Sequence, residues 1–138
     1  MNDRQFEVVV TSGDMRPDSH EGVVFEHRWS PGGVVVETAF TGAHLLHLAV
    51  AGCVLNDVHR EAQRLGIGVD GVRVTAWGDF DTETWRTTGI DYIVDVSSRA
   101  PRGDVDELLR VVDEVAEIPK TLQQEAWVRR LQTPDTNS

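Results

Sequence analysis

The 138-residue sequence has a single cysteine, few basic residues and no long apolar run. One cysteine cannot form a disulfide within the chain, which excludes a disulfide scaffold. The 13 Lys and Arg against 23 Asp and Glu give a formal net charge of −10. This charge argues against nucleic acids and anionic membranes as partners, because both are bound through clustered Lys and Arg. No apolar run approaches the roughly 20 residues that span a bilayer.

Motifs for cofactors and targeting are also missing. Neither GxGxxG nor GxxxxGK[ST] occurs, so we predict no nucleotide cofactor. His44 and His47 lack further ligands at zinc spacing, so we interpret them as hydrogen-bonded or solvated histidines and predict no metal. The start, MNDRQFEVVV, has no basic region followed by an apolar one, so no secretory signal is indicated and a cytoplasmic protein is expected.

The apolar content of 40% is enough for one core, and we predict a single domain over residues 1–132 with a disordered tail at 133–138. Alternating apolar positions, Val-rich runs and Gly/Pro turns predict strands at 5–11, 22–28, 33–39, 69–81 and 89–98. A helix is predicted at 42–65 and another at 102–118, the latter capped by Asp104, with a helical turn starting at Pro119. The period alone leaves 126–131 open between helix and strand. Strands and helices are segregated in this order, which predicts an α+β fold.

The first half of the helix at 42–65 is apolar on nearly every face, from Leu45 to Leu55. A helix that is apolar all round must be buried on all sides. A chain of this length rarely surrounds such a helix alone, so we expect a partner subunit to cover part of it.

Three segments carry a resemblance to a known family. The helix TGAHLLHLAVAGCVLNDVHREAQRLGI contains Cys53, the segment VDGVRVTAWGDFD follows it, and AEIPKTL lies near the end of the chain. Together they resemble the OsmC/Ohr family, the osmotically inducible and organic hydroperoxide resistance proteins, over most of the chain. The resemblance implies an OsmC-like fold with antiparallel sheets around a central buried helix. It also implies an intertwined homodimer with reactive sites at its interface, and a closing strand at 126–131.

The resemblance further implies a chemistry, which this chain matches only in part. Catalytic members reduce organic hydroperoxides in oxidative stress: one cysteine becomes a sulfenic acid that a second cysteine resolves, assisted by an arginine and a glutamate. Cys53 matches the first cysteine, and Arg16 in SGDMRPD is the nearest match to the arginine, ahead of Arg28. Ile118 stands at the second cysteine and Ala43 at the glutamate.

A peroxidatic Cys53 would have to be a thiolate. It lies about three turns into its helix, where the effect of the helix dipole has faded, and Asp57 at i+4 would raise its pKa. Arg60 is about 10 Å further along the helix axis, and His59 points about 120° away. Activation would therefore come from outside the helix, with Arg16 as the candidate. Otherwise Cys53 is a packed, inert side chain.

Three functions therefore remain open. The first is a thiol-dependent organic hydroperoxide reductase that uses Cys53 and Arg16 and an external thiol reductant. The second is a non-enzymatic OsmC-like protein that binds a small hydrophobic molecule at the dimer interface. The four tryptophans, at 29, 77, 85 and 127, are either core or the wall of such a pocket. The third is an assembly module.

Overall fold

The computed structural model describes residues 4–18, 21–124 and 128–134. Its strands are β1 (Val8–Gly13), β2 (Val23–Phe25), β3 (Val34–Glu37), β4 (Gly71–Phe80) and β5 (Thr87–Ser97). Its helices are α1 (Gly42–Leu65), α2 (Arg102–Val115) and α3 (Glu117–Gln123). The α+β class is thereby confirmed. In the described part of the chain, no helix is long and apolar enough to cross a membrane.

The five strands form one antiparallel sheet in the order β2-β3-β1-β4-β5. Side chains alternate between the two faces of a strand, so one face collects the apolar positions. On the central strand β1, Val8 and Val10 are buried, and Val10 pairs in register with Val74 of β4. This apolar face packs against α1, which therefore lies across the middle of the sheet.

The predicted bounds of α1 are confirmed, and local chemistry explains both ends. The Thr41 side chain accepts the backbone N–H of His44, which caps the start of the helix. Gly66 adopts a left-handed conformation, with φ of 72°, which ends the helix without the steric cost of a Cβ. The buried stripe of α1 is Val50, Ala51, Val54, Leu55, Val58 and Ala62. In one chain, Leu45 and Leu46 are only half-buried and Ala49 is exposed, so part of the apolar first half lacks cover.

The second and third helices close the far side of α1, where Leu108 and Val112 of α2 are fully buried. The predicted Asp104 cap is wrong: Pro101 is the cap residue, and Asp104 lies in the first turn of α2. Helical geometry begins earlier because Pro101, at ψ of 144°, already has the extended backbone that a cap position requires.

The closing strand expected at 126–131 is absent from its described part, 128–131. These residues have neither helix nor strand, and Val128 and Leu131 are 97% and 67% exposed. An extended segment becomes a strand only where a sheet edge pairs with it, and none does so here. Residues 125–127 and 135–138 lie outside the described part of the chain, so the predicted disordered tail at 133–138 falls mainly on residues that the structure does not describe.

Candidate functional site

The strongest candidate site surrounds Cys53 on α1. Asp57 and Arg60 follow at i+4 and i+7, so all three side chains share one side of the helix. The short helix α3 packs beside them and adds Glu117 and Ile118. The sulfur thus lies where α1 meets α3, in a half-buried position.

Two carboxylates face the Cys53 thiol. The Sγ atom donates to Glu117 Oε2 at 3.4 Å and lies 3.9 Å from Asp57 Oδ2. Burial raises the pKa of Cys53 to about 11, opposed by a backbone hydrogen bond from Ile118 and reinforced by the charges of Asp57 and Glu117. At neutral pH the sulfur is therefore a protonated thiol.

Arg60 forms ion pairs with the two carboxylates rather than a contact with the sulfur. Its Nη2 lies 3.3 Å from Asp57 Oδ2, and its Nη1 lies 3.3 Å from Glu117 Oε1. Asp57 is fully buried, and burial raises its pKa against the opposing effects of the Asn56 hydrogen bond and Arg60. Cys53, Asp57 and Glu117 place three ligand atoms within 4.8 Å of one another, a spacing that suits a metal ion. Because Arg60 already supplies a cation to both carboxylates, we assign the cluster to an ion-pair network.

An apolar cleft of about 240 Å³ opens beside this cluster. Val50 of α1, Ile90 and Tyr92 of β5, and Pro119 and Leu122 of α3 line it. Burial and a 3.0 Å hydrogen bond to Asp113 raise the pKa of Tyr92 to about 12, and a charge on Cys53 would raise it further. Tyr92 therefore links the cleft to the surroundings of the sulfur.

The structure places the Arg16 side chain against Gly13 and Gly32 rather than against Cys53. Its Nε donates to Gly13 O at 3.1 Å and its Nη1 to Gly32 O at 2.9 Å, which ties two loops together. Within the described residues of one chain, no contact joins Arg16 to Cys53, so its catalytic role stays a prediction. Arg28 lies against the Trp29 ring, 5.4 Å from its centroid.

The positions at which the resemblance implies a second cysteine and a glutamate are occupied by Ile118 and Ala43. Ile118 lies near the sulfur, because its backbone lowers the pKa of Cys53, and the position at which the resemblance implies a second cysteine carries an aliphatic side chain. Ala43 is in the first turn of α1. Glu117 was not predicted as a site residue, although it directly precedes Ile118 in the AEIPKTL segment.

The histidines in the described part of α1 make hydrogen bonds inside the chain. His44 Nδ1 lies 2.6 Å from Thr41 Oγ1, and His47 Nδ1 lies 2.9 Å from Phe6 O. His59 contacts Ser12 Oγ at 2.7 Å, on a different side of α1 from Cys53. Among the described tryptophans, Trp29 lines a separate cleft of about 360 Å³, and none lines the cleft beside Cys53.

Two solved structures share this fold. An OsmC-like protein from Mycoplasma pneumoniae has a TM-score of 0.58 and 16% identity, over 70% of this chain and 77% of its own. An OsmC-like hydroperoxide resistance protein from Jannaschia sp. CCS1 has a TM-score of 0.51 and 18% identity, over 96% of this chain and 97% of its own. At these identities, the likeness concerns the fold alone.

The comparison with protein families is more specific. No curated protein sequence matches this chain significantly. The family model described as OsmC-like protein matches residues 36–129, which is more than half of the chain and includes α1 with Cys53. The chain therefore belongs to the OsmC-like protein family.

Proposed function

We propose that this OsmC-like protein binds a small apolar molecule in the cleft beside Cys53 and does not turn over hydroperoxides. The observation that carries this proposal is the state of the thiol. Its hydrogen goes to the Glu117 carboxylate, and a second carboxylate lies 3.9 Å away. A peroxidatic cysteine needs the opposite surroundings, a cation or several donors that favour the thiolate.

The lining of the cleft supports an apolar ligand. Val50, Ile90 and Leu122 contribute aliphatic surface from three different elements. The hydroxyl of Tyr92 is already used by Asp113. With about 240 Å³, the cleft is below the usual range of about 300–1,000 Å³ for ligand sites, so it suits a single ring or a short alkyl chain.

We further propose that the protein is a homodimer. Large apolar side chains remain on the surface of one chain, among them Phe40 at 87% exposed and Val24 at 62%. Phe40 shortly precedes the partly uncovered first half of α1, and Val24 lies on β2, at one edge of the sheet. Large apolar side chains that are exposed in one chain are typical of a subunit interface.

The second candidate is thiol-dependent hydroperoxide reduction by Cys53, with an external thiol that resolves the sulfenic acid. One observation favours it: the sulfur is half-buried rather than enclosed, and it lies next to an apolar cleft that an alkyl group can enter. In this mechanism, Arg16 would have to reach Cys53 from the partner subunit to stabilise the thiolate.

The two candidates predict different fates for cumene hydroperoxide. We expect the hydroperoxide and its stable product, 2-phenyl-2-propanol, to bind equally well, and the hydroperoxide to remain intact. Binding is followed by NMR shifts of Ile90 and Leu122 methyl groups, and hydroperoxide loss by a colorimetric peroxide assay with dithiothreitol present. Rapid loss of peroxide with sulfenic acid on Cys53 would establish the second candidate instead.

Ile90 and Ile93 provide a matched pair of variants for the same experiment. Ile90 lines the cleft, whereas Ile93 is on the opposite face of β5 and is 41% exposed. Ile90→Gln should weaken binding about tenfold or more, because it removes roughly 1.5 kcal/mol or more of apolar contact. Ile93→Gln should leave binding unchanged. Equal effects of the two variants, or no binding to the wild type, would contradict the proposal.

The dimer is tested by sedimentation equilibrium. The wild type should sediment with twice the chain mass of 15.3 kDa at micromolar concentration. Phe40→Glu should shift the protein toward the monomer without lowering its stability, because this side chain is already 87% exposed in one chain. Val115→Glu, at an apolar position of α2 that is 37% exposed, is the control and should leave the mass unchanged. A monomeric wild type would remove the proposed interface.

A further inference from the structure

A second cluster of chemically active side chains lies away from Cys53, between the β2–β3 loop and α1. His27 Nδ1 lies 2.8 Å from Ser30 Oγ, and His27 Nε2 lies 3.0 Å from Asn56 Oδ1. The imidazole thus bonds a hydroxyl through one nitrogen and a side-chain carbonyl through the other. This is the arrangement of a hydrolytic triad, which is recognised by geometry rather than by chain order.

The protons in this line can be assigned from Asp57. Its carboxylate only accepts, and it takes a hydrogen from Asn56 Nδ2 at 3.1 Å, which fixes the orientation of the amide. Asn56 Oδ1 therefore faces His27 and accepts from its Nε2–H. In the neutral imidazole the other nitrogen, Nδ1, then carries the lone pair, so Ser30 donates its hydroxyl proton to it.

A second histidine does not compete for that proton. His59 Nε2 lies 2.7 Å from Ser12 Oγ but 3.3 Å from Ser30 Oγ. Ser12 Oγ already accepts the backbone N–H of Val72, so its own hydroxyl proton is free to go to His59. His27 is therefore the base that faces Ser30.

Ser30 lies in a constrained loop and lines a cavity. The Ser30 N–H bonds to His27 O, and the Gly33 N–H bonds to Ser30 O, with φ of 88° at Gly32 and 84° at Gly33. These turns hold Ser30 beside a cavity of about 520 Å³, which Ser30, His27 and Arg28 all help to line. The residue is 4% exposed overall, so the surrounding chain restricts its conformation, and Ser30 is among the residues that line the cavity.

We propose that Ser30, His27 and Asn56 form an active site, separate from the Cys53 cleft, that hydrolyses small carboxylic esters. Ser30 Oγ attacks the ester carbonyl carbon as its proton moves to His27 Nδ1, and Arg28 offers a cation for the negative charge on the carbonyl oxygen. The alkoxide leaves with the proton from His27. Water then attacks the acyl-Ser30 ester, again deprotonated by His27, which releases the carboxylic acid and restores Ser30. Asn56 is a positioning residue that holds the imidazole and its tautomer.

This activity goes beyond the proposed function and is independent of Cys53. The two sites share only Asp57, which touches Cys53 Sγ through Oδ2 and Asn56 through Oδ1. Failure of the ester site therefore leaves apolar binding in the Cys53 cleft untouched, and the reverse is also true.

The test uses the full-length wild type, a fluorophosphonate probe and p-nitrophenyl acetate. The probe should modify one residue per chain, and peptide mass mapping should place the label on Ser30. Ester hydrolysis should fall about a hundredfold or more in Ser30→Ala and in His27→Ala, since a general base contributes roughly 10²–10⁴ in rate. Asn56→Ala should lower kcat with little change in KM, because Asn56 orients the base and does not contact the ester.

Ser97→Ala is the matched control, because Ser97 bonds to an acidic side chain, Asp14, outside the cluster. It should label and hydrolyse like the wild type. Circular dichroism checks that each variant is folded, and mapping of the label on the wild type needs no variant. No label on Ser30, a label on Cys53 or a histidine instead, or unchanged hydrolysis in His27→Ala would each overturn the proposal and assign the cluster to structure alone.

Discussion

Cys53 should react with iodoacetamide at neutral pH about thirtyfold more slowly than a free cysteine. A pKa of about 11 instead of about 8.5 lowers the thiolate fraction roughly 300-fold. The more basic thiolate is intrinsically about tenfold more nucleophilic, which offsets part of that loss. The measurement is the alkylation rate against pH, followed by intact mass. We expect the rate to rise up to about pH 11 with no plateau near pH 9.

The neighbouring carboxylates provide the variant and its control. Glu117→Gln removes the charge that receives the thiol proton, so alkylation should accelerate several-fold. The gain is limited because burial, which raises the pKa of Cys53 most, remains. Glu114→Gln also removes one acidic charge, but Glu114 bonds to Arg110 on α2 and should not change the rate. A wild-type rate equal to that of a free cysteine would contradict the assigned state of the thiol and reopen the peroxidase mechanism.

The local sequence determines most of the fold. Thr41 and Gly66 mark the ends of α1 at the predicted residues, because a cap and a left-handed glycine act within one turn. The clean alternation along β5 likewise predicted its place as a half-buried strand. The expected strand at 126–131 depended on pairing with another segment, and such long-range pairing cannot be judged from the segment alone.

The candidate site was less predictable, because its members come from distant parts of the chain. Asp57 was foreseen as a neighbour of Cys53, since i+4 spacing on a helix fixes that contact. Glu117 is 64 residues away from Cys53 and arrives only through the packing of α3 on α1. Arg60 was judged too distant along the helix axis to matter, but its long side chain reaches Asp57 and Glu117.

The same limit applies to the Ser30 cluster. The Pro and Gly residues of WSPGG, between the strands predicted at 22–28 and 33–39, indicate a turn of the backbone but do not reveal the partners of its serine. His27 and Ser30 are close in sequence, yet Asn56 joins them from α1 at a separation of 29 residues from His27. In both clusters, the contacts between residues that are distant in the chain could not be predicted from the sequence.

Lowering the pH from 7 to 5 should reduce the free energy of unfolding by about 2 kcal/mol through His59 alone. Burial, together with the neighbouring His27, lowers the pKa of His59 from about 6.5 to about 4. The unfolded chain therefore binds a proton near pH 6.5 that the folded chain takes up only near pH 4. The stabilisation is fully present above pH 6.5 and is lost as the pH falls through about 4. Urea denaturation at a series of pH values measures it.

His59→Gln isolates this contribution, because glutamine keeps a hydrogen-bonding side chain near Ser12 and Ser30 but does not titrate. Its absolute stability falls if the new hydrogen bonds are poorer, so the informative quantity is the change between pH 7 and 5, which should shrink by about 2 kcal/mol. His44→Gln removes a histidine from the first turn of the same helix and should keep the wild-type change. If His59→Gln loses as much stability as the wild type over this range, His59 is protonated as easily in the folded protein as in the unfolded chain. Its imidazole would then carry a proton beside Ser30 near neutral pH, and the assignment of hydrogen bonds around that serine would have to change with it.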